Sequence, residues 1–393
     1  MSDQNVVIVS ARRTPIGAFQ GALAAVSATQ LGATAVRAAI ESSGVKPEDI
    51  QEIIMGCVLS AGLGQAPARQ AAIGAGIPVS TPATTINKMC GSGLKAIMLA
   101  SDQIRAGDID VAIAGGLESM SNAPYLLPKA RSGYRMGHGE LLDHMFYDGL
   151  QSPFDGQLMG CFADRTAAKY SFSRADQDAF ASESVRRALK AVESGEFSGE
   201  IVPVTVKGRK GETVVDRDET PFTCDLNKIP TLKPAFGKDG TVTAASSSSI
   251  SDGAAALVLM RESVARQRGL KPLARVLAFA SHAHEPEWFT TAPGGAIKKT
   301  LSRLGWKPND ADLYEINEAF AAVTMAAMRD VDIDAARVNV NGGACAMGHP
   351  IGATGARIVT TLVHALRKRQ LRRGIASLCI GGGEAVAIAI ETL

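Results

Sequence analysis

Short apolar runs alternate along the chain with longer stretches of helical periodicity. The runs NVVIVSA, VAIAGG and VAIAI have the length and composition of buried strands, whereas ATQLGATAVRAAIESSG places its apolar residues at helical spacing. Strands that alternate with helices in this way predict βαβ units whose sheets are covered on both faces. We therefore expect an α/β fold.

An internal repeat divides this pattern into two halves. The segment VKPEDIQEIIMG at 45–56 is echoed by WKPNDADLYEIN at 306–317, and each is a Lys-Pro turn that leads into a strand. The segment INKMCGSGLKAI at 86–97 is echoed by VNGGACAMGHPIGATGARI at 340–358. Both halves run in the order strand, glycine-rich turn, helix, strand, which predicts two similar α/β units.

The middle of the chain differs from both halves in composition and periodicity. Roughly residues 121–250 are rich in Gly, Pro, Met and His and lack a clean period, and long irregular segments of this kind are usually functional. Within them, SRADQDAFASESVRRALKAVESG predicts a helix with Ser173 as its N-cap.

Composition narrows the class of protein. The 393 residues include 41 basic and 39 acidic side chains, and a net charge of +2 gives no general surface for nucleic acid. The six cysteines form no C-x-x-C pair, so neither a disulfide framework nor a metal site is expected. No signal peptide and no apolar segment long enough to span a membrane is found, so we expect a cytoplasmic protein.

Cys90 stands between a strand-like run, PATTI, and a helical pattern, LKAIMLASDQIRAG. A lone cysteine is most often a packed core residue. At a helix N-terminus, however, the helix dipole favours the thiolate and lowers the pKa of the thiol. The dipole contributes at most about 2 kcal/mol, which does not ionise the thiol at pH 7, so a nucleophilic Cys90 also needs a base.

His349 is the strongest candidate for that base among the six histidines. It lies in the segment GHP at the start of a helix in the second half, where Cys90 lies in the first. An ordinary packing role is the common alternative for any histidine. The repeat nevertheless favours convergence of the two side chains across a pseudo-twofold axis.

Two further positions carry candidate chemistry. Cys379 ends an apolar strand at the glycine run CIGGG, where small residues let backbone N–H groups approach a ligand. Together with Cys90 it suggests two thiols in one cleft, one a nucleophile and one an acid or base, with a disulfide as the competing interpretation. Asn317 follows a strand and is predicted to open a helix, either as its N-cap or as a donor to an oxyanion.

Taken together, these segments resemble the thiolase family, in particular its acetyl-CoA acetyltransferase branch. The motifs that carry the resemblance are ARRTPIG, NKMCGSGLKA, GGLESMS, SDGAAA, NEAFAA, NGGACAMGHPIGATGAR and CIGGGEA. They span essentially the whole chain. Several long motifs in a fixed order are more specific than any one of them.

The resemblance implies a duplicated, five-layered α/β/α/β/α fold with a loop domain inserted into the first half. We expect an N-terminal half at 1–120 and 251–271, an inserted loop domain at 121–250, and a C-terminal half at 272–393. The inserted domain would bind coenzyme A and make the contacts of a homotetramer.

The resemblance also implies a reversible condensation of two acetyl-CoA molecules to acetoacetyl-CoA and CoA, with no cofactor and no metal. Cys90 would carry the acyl group, and His349 would activate Cys90. Cys379 would exchange a proton with the α-carbon of the second acyl-CoA. One oxyanion would be stabilised by His349 with a water held by Asn317, and the other by the backbone N–H groups of Cys90 and Gly381.

Substrate contacts follow from the same resemblance. The residues that would contact substrate or coenzyme A are Met159, Lys228, Lys233, Phe236, Ala244, Ser248 and Phe320. Leu158 stands where acetoacetyl-specific relatives often carry His, and Ser249 stands where the family commonly has Gly. The alternatives are a 3-ketoacyl-CoA thiolase of broader chain length in fatty-acid breakdown, and a non-catalytic thiolase-like protein that binds CoA or lipid. Partners other than these small molecules, such as nucleic acid or membrane, are not expected.

Overall fold

The computed structural model describes residues 5–209 and 211–393. The first half contains β1 (Val6–Arg13), β2 (Gly17–Ala18), α1 (Ala28–Ser43), β3 (Glu52–Gly56), α2 (Pro67–Gly74), β4 (Ala83–Ile86), α3 (Ser92–Ala106) and β5 (Val111–Ser119). The middle of the chain contains β6 (Tyr125–Leu126), β7 (Leu142–Asp143), α4 (Met159–Lys169), α5 (Arg174–Glu193), β8 (Val204–Gly208) and β9 (Gly211–Val215), followed by β10 (Ser251–Arg261) and α6 (Glu262–Gln267). The second half contains β11 (Ala274–Ala283), α7 (Ala292–Leu304), β12 (Leu313–Ile316), α8 (Ala321–Val331), α9 (Ala344–Met347), α10 (Ile351–Lys368), β13 (Arg373–Ile380) and β14 (Glu384–Thr392).

The strands of the two halves follow one pattern. They lie in the order β4-β3-β5-β10-β1 in the first half and β12-β13-β14-β11 in the second, and antiparallel pairing of β1 with β11 joins the two sets into one continuous sheet. The pairs β3 with β5 and β12 with β13 are parallel, and the next two pairs in each half are antiparallel. In the second half a single parallel bridge from Val338 to Tyr314 takes the place of β4. This shared order is the one expected from the sequence repeat.

The helices complete five layers. Helices α1 and α2 cover the outer face of the strands of the first half, and α7 and α8 cover the outer face of the strands of the second half. Helices α3 and α10 lie between the two sets of strands, where one apolar cluster joins both helices to strands of both halves. The predicted α/β/α/β/α arrangement is therefore confirmed.

Helices α3 and α10 meet backbone to backbone at two glycines. A Cβ atom on Gly355 would lie 2.2 Å from the backbone nitrogen of Leu94, and one on Gly93 would lie 2.7 Å from the backbone nitrogen of Ala356. Any larger residue would separate the helices, because the clashing atoms belong to the backbone and cannot rotate away. This contact fixes the distance between the two halves.

The segment between β5 and β10 is built around α4 and α5. Helix α5 begins with the predicted cap: the Ser173 side chain accepts from the Asp176 N–H, and the Asp176 carboxylate accepts from the Ser173 N–H. The division of the chain at residues 120, 250 and 271 stays a prediction. In the part of the chain that the structure describes, no helix has both the length and the apolar character required to cross a membrane.

The close contact of the central helices predicts the effect of Gly355→Ala. The added methyl group must push α10 away from α3, which we expect to cost about 1–3 kcal/mol of stability, as overpacking does. Because the helix contact sets the positions of the turns before α3 and α10, which carry Cys90 and His349, activity should fall as well. Thermal unfolding and thiolysis rates measure the two effects.

Gly294→Ala is the matched control for Gly355→Ala. Gly294 lies in α7, where the nearest atom to an added Cβ would be Asp330 Cβ at 3.2 Å, so a shift of only a few tenths of an ångström makes room for it. Helix propensity favours Ala over Gly by about 1 kcal/mol, so this variant should be as stable as the parent or slightly more so. A Gly355→Ala protein as stable and active as Gly294→Ala would contradict the prediction.

Candidate active site

The structure brings four of the predicted residues to one cleft. Cys90, His349, Cys379 and Gly381 all line it. The cleft is also lined by four of the residues predicted to contact substrate, namely Met159, Phe236, Ser248 and Phe320. Since β13 and the turns before α3 and α10 meet here, both halves of the repeat and the inserted segment contribute to a single site.

The turn that carries Cys90 has an unusual backbone. Helix α3 begins two residues later, at Ser92, and Met89 adopts a positive φ of 46°. The Asn87 side chain accepts from the Met89 N–H, and Ser92 Oγ accepts from the Lys88 N–H at 2.8 Å. A non-glycine residue in the left-handed region is costly, so these bonds must hold the turn that presents the sulfur.

Burial, and not the helix dipole, dominates the thiol of Cys90. It raises the pKa of Cys90 to about 11, and the nearby Glu118 adds to the rise. Hydrogen bonds from the backbone N–H groups of Gly381 and Cys90 act in the opposite direction but are outweighed. The predicted lowering of this pKa is therefore wrong, because the apolar surroundings disfavour a thiolate more than the helix end favours it.

His349 presents a defined tautomer to the cleft. The Thr354 hydroxyl donates to the Pro350 carbonyl at 2.9 Å, so it is available to the ring only as an acceptor, and it lies 2.6 Å from His349 Nδ1. We therefore assign the proton of the neutral ring to Nδ1 and the lone pair to Nε2. Within residues 5–209 and 211–393, Nε2 is buried without a hydrogen-bond partner.

The charges of the resting site follow from its burial. Burial and, to a smaller extent, the charge of Arg357 lower the pKa of His349 to about 3. An uncharged imidazole therefore faces an uncharged Cys90 thiol at neutral pH. Because the thiol pKa is far above that of the imidazole, a stable ion pair does not form, and proton transfer from Cys90 must accompany attack on a substrate.

Cys379 is fully buried at the end of β13. Burial first, and then the proximity of Cys90, raise the pKa of the Cys379 thiol well above its usual value. Both cysteines are free thiols, so the disulfide interpretation is wrong. The glycines that follow turn the chain sharply, with φ of 97° at Gly382 and 93° at Gly383, which is the left-handed region that favours glycine.

Asn317 lies behind the cleft and does not line it. Its backbone N–H donates to the Ser377 carbonyl at 3.0 Å, and its side chain is buried. The predicted N-cap role is wrong, because α8 begins only at Ala321, with Phe320 as the N-cap. Arg357 lies 3.4 Å from Asn317 Oδ1, whereas Nδ2 is buried and has no partner in the described chain.

Two apolar walls enclose the reactive groups. Phe289 and Phe320 pack around Cys379, and Ile250 and Ile351 pack with Cys90. Other apolar residues complete the lining: Phe146, Leu150, Leu158, Met159 and Phe236. Phe146 and Leu150 come from the middle segment, which has no periodicity, and Phe289 lies in the irregular turn between β11 and α7, so no signal in the sequence identifies these three residues.

The serine-rich segment before β10 connects the two walls. Ser248 donates from both its N–H and its hydroxyl to the Ala319 carbonyl, and the Ser249 carbonyl accepts from the His349 N–H at 3.0 Å. Ser249 does not adopt a left-handed conformation, so the backbone at this position does not require the glycine that the resemblance leads us to expect.

Three predicted contacts lie outside the cleft lining. Lys228 and Lys233 are exposed, and the Lys228 ammonium lies 3.6 Å from the Asp225 carboxylate. Ala244 is exposed at the start of the serine-rich segment. Their roles in binding stay predictions. No group of three or more His, Cys, Asp and Glu side chains in the described ranges is arranged to hold a metal ion.

Sequence reasoning missed a buried carboxylate beside the site. Glu118 accepts backbone N–H bonds from Val58, Leu59 and Gly352, and so ties the turn after β3 to the first turn of α10. Burial raises its pKa to about 7 despite these donors. The signal was available, since GGLES places one acid at the end of an otherwise apolar strand.

Comparison with known proteins gives one consistent result. A family model for the N-terminal domain of thiolase matches residues 6–263, and one for the C-terminal domain matches residues 270–392. A relative from Chromobacterium violaceum named acetyl-CoA acetyltransferase is 50% identical over 388 residues, covering 98% of this chain and 99% of that one. A relative of the same name from Cupriavidus necator is 50% identical over 389 residues, with coverage of 98% and 99%.

Solved structures agree. The crystal structure of the Bacillus anthracis acetyl-CoA acetyltransferase has a TM-score of 0.97 and 44% identity, covering 99% of each chain. A thiolase from Ascaris suum in complex with coenzyme A has a TM-score of 0.94 and 44% identity, covering 99% of this chain and 100% of that one. With both domain models matched in order over nearly the full length, the chain belongs to the thiolase family.

Proposed function

We propose that the protein is an acetyl-CoA acetyltransferase, which interconverts two molecules of acetyl-CoA with acetoacetyl-CoA and CoA. The observation that carries this proposal is the convergence of two free thiols, Cys90 and Cys379, with the neutral imidazole of His349 in one cleft. The names of the relatives support the substrate class. The proposed chemistry uses side chains and backbone groups of this chain, with CoA thioesters as substrates and with no cofactor or metal.

In the direction of thiolysis, the first half-reaction breaks the C2–C3 bond of acetoacetyl-CoA. His349 Nε2 takes the proton of the Cys90 thiol while the sulfur attacks the C3 carbonyl. The bond then breaks, its electron pair passes to C2, and the Cys379 thiol protonates that carbon to release acetyl-CoA. Burial suits Cys379 to this role, because it keeps the group in its acid form at rest.

The second half-reaction transfers the acetyl group from Cys90 to CoA. The Cys379 thiolate left by the first step takes the proton of the incoming CoA thiol, and the CoA thiolate attacks the acetyl carbonyl. The Cys90 sulfur leaves and recovers its proton from His349, so all three groups return to their resting forms. Each step reverses in the direction of synthesis.

The reaction develops negative charge on two different oxygens, one on the acyl group bound to Cys90 and one on the CoA thioester. The N–H groups of Gly381 and Cys90 point at the Cys90 sulfur, so we assign to them the carbonyl oxygen of the acyl group on that sulfur. His349, once it carries the Cys90 proton on Nε2, and a water held by the Asn317 amide would donate to the enolate oxygen of the CoA thioester. The unpartnered Asn317 Nδ2 and His349 Nε2 support this assignment.

A 3-ketoacyl-CoA thiolase of broader chain length is the second candidate function. It is favoured by the apolar lining of the cleft, where Leu158 replaces a polar side chain with one that an alkyl group can contact. Both candidates use the same acyl-enzyme chemistry. They differ in how far the acyl chain can extend from Cys90.

We further propose a homotetramer that acts in the cytoplasm in fatty-acid metabolism. The middle segment exposes several large apolar side chains, with Tyr125 62% exposed, Met136 94% and Leu141 62%. Exposed apolar groups that cluster in one segment are typical of a protein–protein interface. The bacterial relatives support the cytoplasm.

The two thiols should fail at different steps when they are replaced. Cys90→Ala should form no acetyl-enzyme with acetyl-CoA and show no thiolysis of acetoacetyl-CoA. Cys379→Ala should still acetylate Cys90, because a CoA thiolate can leave without help from an acid. Its thiolysis rate should fall by about 10³-fold, because a carbanion leaving group must be protonated by an acid. Intact-protein mass and loss of the 3-ketoacyl thioester absorbance measure the two steps.

Cys224→Ala is the control for both variants, since this half-buried thiol lies outside the cleft. It should acetylate and turn over like the parent. Thiolysis by Cys90→Ala at the parental rate would overturn the nucleophile assignment. Equal loss of acetylation and thiolysis in Cys379→Ala would contradict its separate role.

Thr354→Val should slow the reaction by removing the acceptor for His349 Nδ1. Without the hydroxyl, the ring is no longer held in the tautomer that presents Nε2 as a base, and we expect kcat to fall by about 10-fold or more. Thr360→Val is matched, because Thr360 Oγ1 also donates to a carbonyl four residues back in α10 but touches no histidine. Equal rates in the two variants would show that the tautomer is not set by Thr354.

Chain-length preference distinguishes the two candidate functions. If Leu158 extends the acyl site, thiolysis of 3-ketohexanoyl-CoA should approach that of acetoacetyl-CoA, and Leu158→His should reduce the longer substrate's kcat/KM by about 10-fold more than the shorter one's. Leu158→Met, which keeps an apolar side chain of similar volume, serves as the control. A parent enzyme inactive on 3-ketohexanoyl-CoA would favour the strict acetyltransferase.

A further inference from the structure

A buried polar cluster lies directly behind the cleft. Arg357 lies on α10, eight residues after His349, and Glu315 lies in β12, two residues before Asn317. The side chains of Arg357 and Glu315 are each only 2% exposed. A charge buried this deeply is costly unless it is paired, so the contacts of Arg357 indicate its role.

The guanidinium of Arg357 is shared between two neighbours. Nη2 lies 3.4 Å from Asn317 Oδ1, and Nη1 lies 3.7 Å from Glu315 Oε2. In the described chain, Nε and Nη1 have no hydrogen-bond partner, and neither has Glu315 Oε1. A guanidinium placed only to tie α10 to β12 would be expected to form the bidentate pair that arginine makes with a carboxylate. Among the described residues, the one hydrogen bond of the guanidinium goes to the amide of Asn317.

We propose that Arg357 is a positioning residue for the reaction: its N–H donates to Asn317 Oδ1 and so turns the amide NH2 group toward the reacting thioester. The two ends of an asparagine amide have nearly the same shape, so only hydrogen-bond partners decide which end points where. Arg357 carries donors alone, and therefore selects the carbonyl end. The NH2 group, which has no partner in the described chain, is left to donate at the other end.

The position of Arg357 relative to His349 supports the same role. Its positive charge acts directly on the imidazole and, after burial, is the second cause that lowers the pKa of His349. The two groups proposed to stabilise the enolate oxygen are thus both influenced by one guanidinium. Three further charged groups act on Arg357 besides Glu315: Glu200 and Glu318 favour its charged form, and Arg13 opposes it.

A double-mutant cycle tests the proposal, which rests on the proposed thiolase reaction. The variants are Arg357→Lys, Asn317→Ala and the combination, and the readout is kcat for thiolysis of acetoacetyl-CoA. Lys keeps the charge but not the planar fork. We expect losses of about 10-fold for Arg357→Lys and about 10²-fold for Asn317→Ala. In the Asn317→Ala background, Arg357→Lys should lower kcat by less than about 3-fold, because the amide that Arg357 positions is already absent.

Losses that multiply in the double variant would overturn the positioning role. If the parent enzyme itself fails to cleave acetoacetyl-CoA, the proposed function is wrong. If the parent is active and the cycle is multiplicative, only the role of Arg357 is wrong. Arg13→Lys is the control: Arg13 is fully buried and paired with Glu200 and Asp218, so this variant should lose thermal stability while keeping kcat within about 3-fold.

The pH profile gives a readout that a structural role would not move. In Arg357→Gln the positive charge is lost, so the pKa of His349 should rise and the acid limb of kcat/KM should shift to higher pH. In Arg357→Lys the charge remains and the limb should stay. If Arg357→Gln does not fold, as judged by circular dichroism and native mass, the cycle with Lys still decides the question. An unshifted limb in folded Arg357→Gln would overturn the electrostatic part of the proposal.

Discussion

The backbone contact between α3 and α10 is the constraint on which the site depends. The two helices come from different halves of the chain, and Gly93 and Gly355 let them approach until backbone meets backbone. Cys90 lies two residues before α3, and His349 lies two residues before α10. The crossing of the helices therefore sets the separation of thiol and imidazole. A helix pair held apart by side chains would pack as well but would not bring these turns to one cleft.

Much of this arrangement could be predicted from the sequence, because it rests on a repeat. Corresponding segments fold alike, so the equivalence of Cys90 and His349 followed from their places before two helices. What the sequence could not supply was the electrostatics. The helix N-terminus before Ser92 is visible in the pattern, and its effect on a thiol has a known direction. Burial, however, depends on walls built from distant segments, and here it outweighs the dipole and raises the pKa of Cys90.

Asn317 illustrates the same limit for local structure. The pattern after LYEI is helical and Asn is a common N-cap, yet α8 begins four residues later. The intervening residues are held by tertiary bonds, since the Ser248 N–H donates to the Ala319 carbonyl and the Ala321 N–H to the Ser246 carbonyl. The spacing of apolar residues along the chain does not reveal such pairing with the serine-rich segment. It removes Asn317 from the helix end and leaves its amide free for Arg357.

Helix α10 unites packing and chemistry in one element. Gly355 sets its approach to α3, Thr354 fixes the tautomer of His349, and Arg357 lies against the Asn317 amide. A shift of this helix would therefore change three things together: the distance between Cys90 and His349, the orientation of the His349 ring and the orientation of the Asn317 amide. Because the two thiols and the imidazole all rest uncharged, proton transfers must occur in concert with bond changes, and concerted transfer tolerates little error in distance. The close glycine contact is thus a requirement of the chemistry as well as of the fold.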